Sequence, residues 1–75
     1  MPHVIVKLYS GRSEGEKSRL ADEITKVVMK SLGYGEESVS VAIEDVEPQE
    51  WAEKVYKPDI IGRQHTLFKK PGYSL

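Results

Sequence analysis

Residues 1–9 read Met1-Pro2-His3-Val4-Ile5-Val6-Lys7-Leu8-Tyr9. From Pro2 onward the run alternates. Val4, Val6 and Leu8 fall on one side of an extended chain, and His3, Ile5, Lys7 and Tyr9 fall on the other. Half of residues 2–9 are β-branched or aromatic, which suits a pleated surface, so residues 2–9 are expected to form a strand. A second alternating run occupies residues 38–46, Ser38-Val39-Ser40-Val41-Ala42-Ile43-Glu44-Asp45-Val46, with Val39, Val41 and Ile43 on one face and Ser38, Ser40, Ala42 and Glu44 on the other. What joins the two runs is long enough to be a helix. Two strands joined through a helix pair in parallel, with a right-handed crossover.

The connecting helix announces both of its ends. Ser13-Glu14-Gly15-Glu16 has the spacing of a capping box, in which the serine oxygen accepts the third amide of the helix and the glutamate reaches back to the cap amide. Its acidic residues also suit the positive end of the helix dipole. Between Glu14 and Leu32 the apolar positions Leu20, Ile24, Val27, Val28 and Leu32 recur at helical period, with Ala21 and Met29 at the margins of the stripe. Lys17, Arg19, Asp22, Glu23, Lys26 and Lys30 cover much of the remainder, and Gly33 is a natural stop. This helix covers a core and carries no chemistry of its own.

Beyond the second strand the pattern is weaker. Pro48 suits the first position of a short helix running through Trp51. That helix is expected to stop before Pro58, because the residue preceding a proline is pushed out of the α region. A second short helix is expected within residues 59–69, with Ile60, Ile61, Leu67 and Phe68 as its apolar residues, and Lys69-Lys70-Pro71-Gly72-Tyr73 closes the chain with a turn. The expected class is α+β: a two-layer β-α-β unit with parallel strands and short C-terminal helices, in a single domain spanning residues 1–75.

Composition narrows the function. Eleven basic and twelve acidic residues are interspersed, for a net charge of −1, and nucleic-acid binding needs a clustered basic face instead. No apolar run approaches the roughly 20 residues of a membrane span, and no signal-peptide pattern opens the chain, so the cytoplasm is the expected compartment. The chain has no cysteine, hence neither a disulfide nor a thiolate metal site, and its two histidines, His3 and His65, show no ligand spacing. A 75-residue chain buries little of its surface alone. One helix covers one face of a two-stranded sheet, leaving Ile5, Tyr9 and Ala42 on the other face and both edges open. Homo-oligomerisation is the expected remedy, at minimum a dimer.

The chemistry centres on Pro2. Removal of Met1 would make its ring nitrogen a secondary amine able to take up and release a proton. An α-amino group titrates at about 7.7–8.0 when unperturbed. Burial or a neighbouring cation lowers that value, and a general base works best with a pKa near the ambient pH. Pro2 is thus a candidate base fixed at a strand end, and its ordinary role would be a residue opening a strand, where its missing N–H costs nothing.

With Met1-Pro2-His3, Ser10-Gly11-Arg12-Ser13-x-x-x-Lys17, Ser38-Val39-Ser40-Val41 and Trp51 in place, nearly the whole chain resembles the 4-oxalocrotonate tautomerase family. Val39-Ser40-Val41-Ala42, Pro48-x-x-Trp51 and Lys69-Lys70-Pro71-Gly72-Tyr73-Ser74 are most similar to its longer, phenylpyruvate-type subgroup, the PptA tautomerases. The resemblance implies a tautomerase/MIF-like fold completed by oligomerisation, as a dimer or as a hexamer of dimers, with the dimer favoured here. It implies proton transfer in enols of 2-keto acids, with no metal or organic cofactor. It makes Pro2 the general base and Arg12 a residue that contacts the substrate. A guanidinium grips a carboxylate with two parallel N–H bonds.

Ser40 stands where 4-oxalocrotonate-type enzymes carry a second arginine. A serine donates one hydrogen bond and cannot grip a carboxylate bidentately, which disfavours dicarboxylates and favours a monocarboxylate with an apolar or aromatic tail. Trp51 lies near an aromatic pocket position of the family and would wall that tail. Two alternatives share the scaffold. In a dehalogenase or hydratase a protonated proline acts as an acid. A non-catalytic oligomeric module would keep the fold for partner binding.

Overall fold

The computed structural model describes residues Met1–Leu75. β1 spans His3–Tyr9 and β2 spans Ser40–Val46. They form a two-stranded parallel sheet in the register His3↔Ser40 through Tyr9↔Val46. Between them α1 runs Glu14–Leu32, the bounds its sequence predicts. The capping box is complete: Glu16 N–H donates to Ser13 Oγ at 3.1 Å, and Ser13 N–H donates to Glu16 Oε1 at 3.0 Å. At the far end Gly33 adopts the left-handed conformation (φ 76°), and its N–H donates to Met29 O at 2.9 Å. Gly11, with φ 119°, turns the chain from β1 toward α1. No other residue type enters that region without strain.

The register sorts the faces. Val4, Val6 and Leu8 pair with Val41, Ile43 and Asp45, and this is the face under α1. There Lys17 reaches across to Asp45 at 3.1 Å. Lys17, Ala21, Ile24, Thr25, Val28 and Met29 are the half-buried helix residues, whereas Leu20, Val27 and Leu32 are exposed. The expected stripe is therefore rotated: Ala21 and Met29, read as marginal, belong to its centre. Two strands make a narrow platform, so a helix stripe as wide as this one overhangs it.

Four expectations about the later chain are corrected. β2 begins at Ser40, not at residue 38, because Glu36–Ser38 is a turn of 3-10 helix. Pro48 does open a short 3-10 helix, Pro48–Glu50, but helix does not stop before Pro58. A π-helix, Ala52–Ile61, passes through it. The wider i→i+5 turn, seen where Gly62 N–H donates to Lys57 O at 2.8 Å, accommodates a proline that would break an α-helix. Of residues 59–69 only Gln64–Thr66 form a separate helical turn, and Phe68 is fully exposed. The second sheet face is covered only in part, its Ile5 and Tyr9 staying about half exposed. The π-helical segment lies over it, joined by Lys7 Nζ to Asp59 Oδ2 at 2.5 Å and by an edge-to-face contact of Tyr9 and Trp51.

The resulting body is thin, 37 × 31 × 19 Å. Only Val46, Val55 and Tyr56 are buried, and Ile5, Tyr9, Val27, Leu32 and Ile61 remain substantially exposed. No helix is long and apolar enough to cross a membrane.

Candidate active site

Pro2 lies directly before β1 and is half-buried. Its carbonyl accepts the Ser40 N–H at 3.2 Å, which extends the parallel ladder by one step and fixes the proline at the sheet end. On the other face His3 Nδ1 and Ser40 Oγ lie 2.6 Å apart. Sequence alternation placed His3 and Ser40 each on a face, but their pairing needed the register. The result is a proline flanked by a polar pair at the N-terminal end of both strands.

Arg12 sits at the opposite end. It follows the Gly11 turn and is exposed, its Nη1 donating to Glu16 Oε2 at 3.3 Å. That guanidinium and the Ser13 N–H hold the Glu16 carboxyl below its ordinary value of 4.5, the backbone bond being the larger influence. The neighbouring Lys17 is raised above its ordinary 10.5 by hydrogen bonds to Glu14 and then to Asp45. Lys7, at mid-strand, is raised chiefly by its hydrogen bond to Asp59.

Trp51 also lies at this end. Its ring meets Tyr9 edge to face, centroids 5.2 Å apart, and its Nε1–H donates to Tyr73 Oη at 3.0 Å. Tyr73 leans on Tyr56 with centroids 5.8 Å apart. Tyr9, Trp51, Tyr73 and Leu75 line an apolar hollow of about 280 Å³. Tyr9 and Tyr73 escaped the sequence reading. Tyr9 shares a strand face with Lys7, and that parity was the available signal; nothing local indicated that Tyr73 returns to Trp51.

The four sequence-predicted site residues therefore divide between the two ends. Pro2 and Ser40 stand together at one end of the sheet, whereas Arg12, bonded to Glu16, and Trp51, packed on Tyr9, lie toward the other end without touching each other. The seven residues of β1 separate the ends, a span of about 20 Å at 3.3 Å per step. One subunit does not bring its own Arg12 to its own Pro2. No group of three or more histidine, aspartate or glutamate side chains converges as a metal site would.

This parallel β-α-β unit has known counterparts. The family model described as tautomerase enzyme matches residues 2–55. Among solved structures, TomN, described as a 4-oxalocrotonate tautomerase homologue in the tomaymycin biosynthetic pathway, superposes with a TM-score of 0.65 at 34% identity, over 67% of this chain and 77% of that one. The chain belongs to the 4-oxalocrotonate tautomerase family. It is an isomerase of the tautomerase type, similar in fold also to the 4-oxalocrotonate tautomerase isozymes from Methylibium petroleiphilum (TM-score 0.65, 32% identity, 67% of this chain and 81% of that one). Within the family it lies near the PptA proteins. The "Tautomerase PptA" of Cronobacter sakazakii is 41% identical over the full length of both chains. A Xylella fastidiosa protein named "Probable tautomerase" is 48% identical over 97% of this chain and 89% of its own.

Proposed function

We propose that this tautomerase acts without a cofactor on enols of 2-keto acids, phenylpyruvate-like enols or 2-hydroxydienoates, with the amine of Pro2 as general base. With Met1 attached that nitrogen is an amide and has no lone pair to offer, so the active form is the one from which Met1 has been removed. The amine takes the proton of the 2-hydroxyl. As the C=O forms, the C=C electron pair takes a proton back from the prolinium at C3. The observation that carries this reading is the position of Pro2, pinned through its carbonyl to Ser40 at the sheet end and half-buried. A fixed base loses little entropy on the way to the transition state.

Arg12 binds the substrate carboxylate. A cation beside the amine also disfavours a second positive charge and keeps the proline unprotonated near neutral pH. Because the same-chain Arg12 lies a strand length away, the arginine of a second subunit serves each Pro2. The surface supports an oligomer. The accessible area is 5808 Å² for 8.5 kDa, against about 4,650 Å² for a typical monomer of that mass. The radius of gyration is 13.8 Å, against about 11.4 Å for a compact domain of this length. Ser40 supplies a single hydrogen bond, and Trp51 walls the apolar end.

The test is turnover of phenylenolpyruvate by wild type and Pro2→Ala, with intact mass recorded for both. General-base catalysis contributes about 10²–10⁴-fold, so kcat/KM should fall at least about 100-fold in the folded variant. A fall of less than about threefold would leave room only for the primary amine of the variant as a substitute or for a different base.

A further inference from the structure

We propose that Tyr73 determines specificity: with Tyr9 and Trp51 it forms an aromatic box that takes the aryl group of an aryl-substituted 2-keto acid enol. This rests on the tautomerase reading above and assigns the substrate's apolar end to particular side chains.

Three observations carry it. First, the hollow is lined by Tyr9, Trp51, Tyr73 and Leu75 alone and measures about 280 Å³. An apolar cavity of about 150 Å³ suffices to bind benzene, so a phenyl ring with its linking carbon fits. Second, the ring geometry suits an aromatic guest. Tyr9 and Trp51 stand at 83° to one another, so an inserted ring finds the edge of one and the face of the other, the arrangement aromatic quadrupoles prefer. No aspartate or glutamate side chain lines the hollow.

Third, Tyr73 is held in place although its segment has no regular secondary structure. Its hydroxyl accepts the Trp51 indole N–H, and its ring rests on Tyr56, one of the three buried residues. The indole nitrogen thus has its partner within the box and asks nothing of the guest, which is selected by its apolar ring. Tyr73 fixes the rotamer of Trp51 and walls the hollow, so its loss removes both a wall and the orientation of the ring beside it.

Trp51 is the only tryptophan in the chain, so its emission reads the box without turnover. The experiment titrates 3-phenylpropionate and hexanoate into wild type, Tyr73→Phe and Tyr73→Ala, and measures KM and kcat for phenylenolpyruvate and an aliphatic 2-hydroxydienoate. An aromatic pair adds about 0.5–1.5 kcal/mol beyond its area, up to about tenfold in affinity.

Phenylpropionate should shift Trp51 emission saturably and bind more tightly than hexanoate. Tyr73→Ala should weaken phenylpropionate about tenfold, weaken hexanoate distinctly less, and raise KM for the aryl enol more than for the aliphatic dienoate. Tyr73→Phe keeps the wall and should retain most aryl affinity, with Trp51 emission altered by the loss of its acceptor. Equal losses on aryl and aliphatic ligands in Tyr73→Ala, or no emission change with phenylpropionate, would overturn the box. Aryl binding that depends on Tyr73 in a protein that turns over neither enol would sink the function proposed above and leave the box standing. The reverse pattern would sink the box alone.

Discussion

Dilution is the perturbation that bears most directly on how the site is assembled. The chain exposes about 1,150 Å² more surface than a monomer of its mass normally would. A standard interface takes about 800 Å² from each partner, so the excess is enough to form one. If subunits fold only when joined, melting is coupled to dissociation and depends on concentration. Each tenfold dilution then costs about 1.4 kcal/mol per association step, or about 0.7 kcal/mol per subunit in a dimer. With 75 residues, the unfolding entropy is about 0.16 kcal/mol/K per subunit near 60 °C. The quotient is about 4 °C per decade of concentration for a dimer, and about 7 °C for a hexamer, where five association steps are shared among six subunits. Calorimetry or far-UV circular dichroism from about 1 to 100 µM should therefore show the melting temperature rise by about 9 °C for a dimer. A single cooperative transition at one temperature across that range would show a self-sufficient monomer. The proposal that one subunit's Arg12 serves another's Pro2 would fall with it.

Four further predictions test the parts. Arg12→Ala should lower kcat/KM by about 10–100-fold through loss of a charge-assisted contact. Co-expressed with Pro2→Ala in a dimer, it should recover about a quarter of wild-type activity, because half the dimers are mixed and each holds one intact site; recovery of nothing would put both residues in the same subunit. Ser13→Ala removes the side-chain half of the capping box and should cost about 1 kcal/mol, seen as a fall of about 6 °C in melting temperature at fixed concentration. In acid, the Glu16 carboxyl is depressed below 4.5 in the folded chain, so its stabilisation is present above that value and lost as pH falls through the folded pKa. Denaturant titrations at pH 7 and in acid should show Glu16→Gln with a shallower acid decline than wild type. In alkali, Lys7 and Lys17 are raised above 10.5, so their stabilisation holds below that value and is lost as pH rises through the folded pKa values.

Local chemistry wrote much of this fold into the chain. Alternation within His3–Tyr9 and Ser40–Val46, and the Ser13/Glu16 box with Gly33 at the other end, depend on residues a few positions apart, so strand, helix and caps are legible in order. The parallel pairing follows from the length of the connection. The proposal of Pro2 as base also came from the sequence, because that chemistry depends on its place in the chain. The π-helix through Pro58 was not legible there. Its wide hydrogen bonds are costly in isolation and persist where the segment packs, here with Val55 and Tyr56 buried and Asp59 tied to Lys7. The same packing returns Tyr73 to Trp51 across 22 positions of chain, a contact no short-range pattern encodes. Sequence alone thus determined the β-α-β frame and the candidate base. Tertiary structure decided that Pro2 and Arg12 stand at opposite ends of one strand, and that Tyr73 and Leu75 return to Tyr9 and Trp51 to line one hollow. Distance between side chains is a property of the folded path, and residue types and spacing constrain it only within a single element.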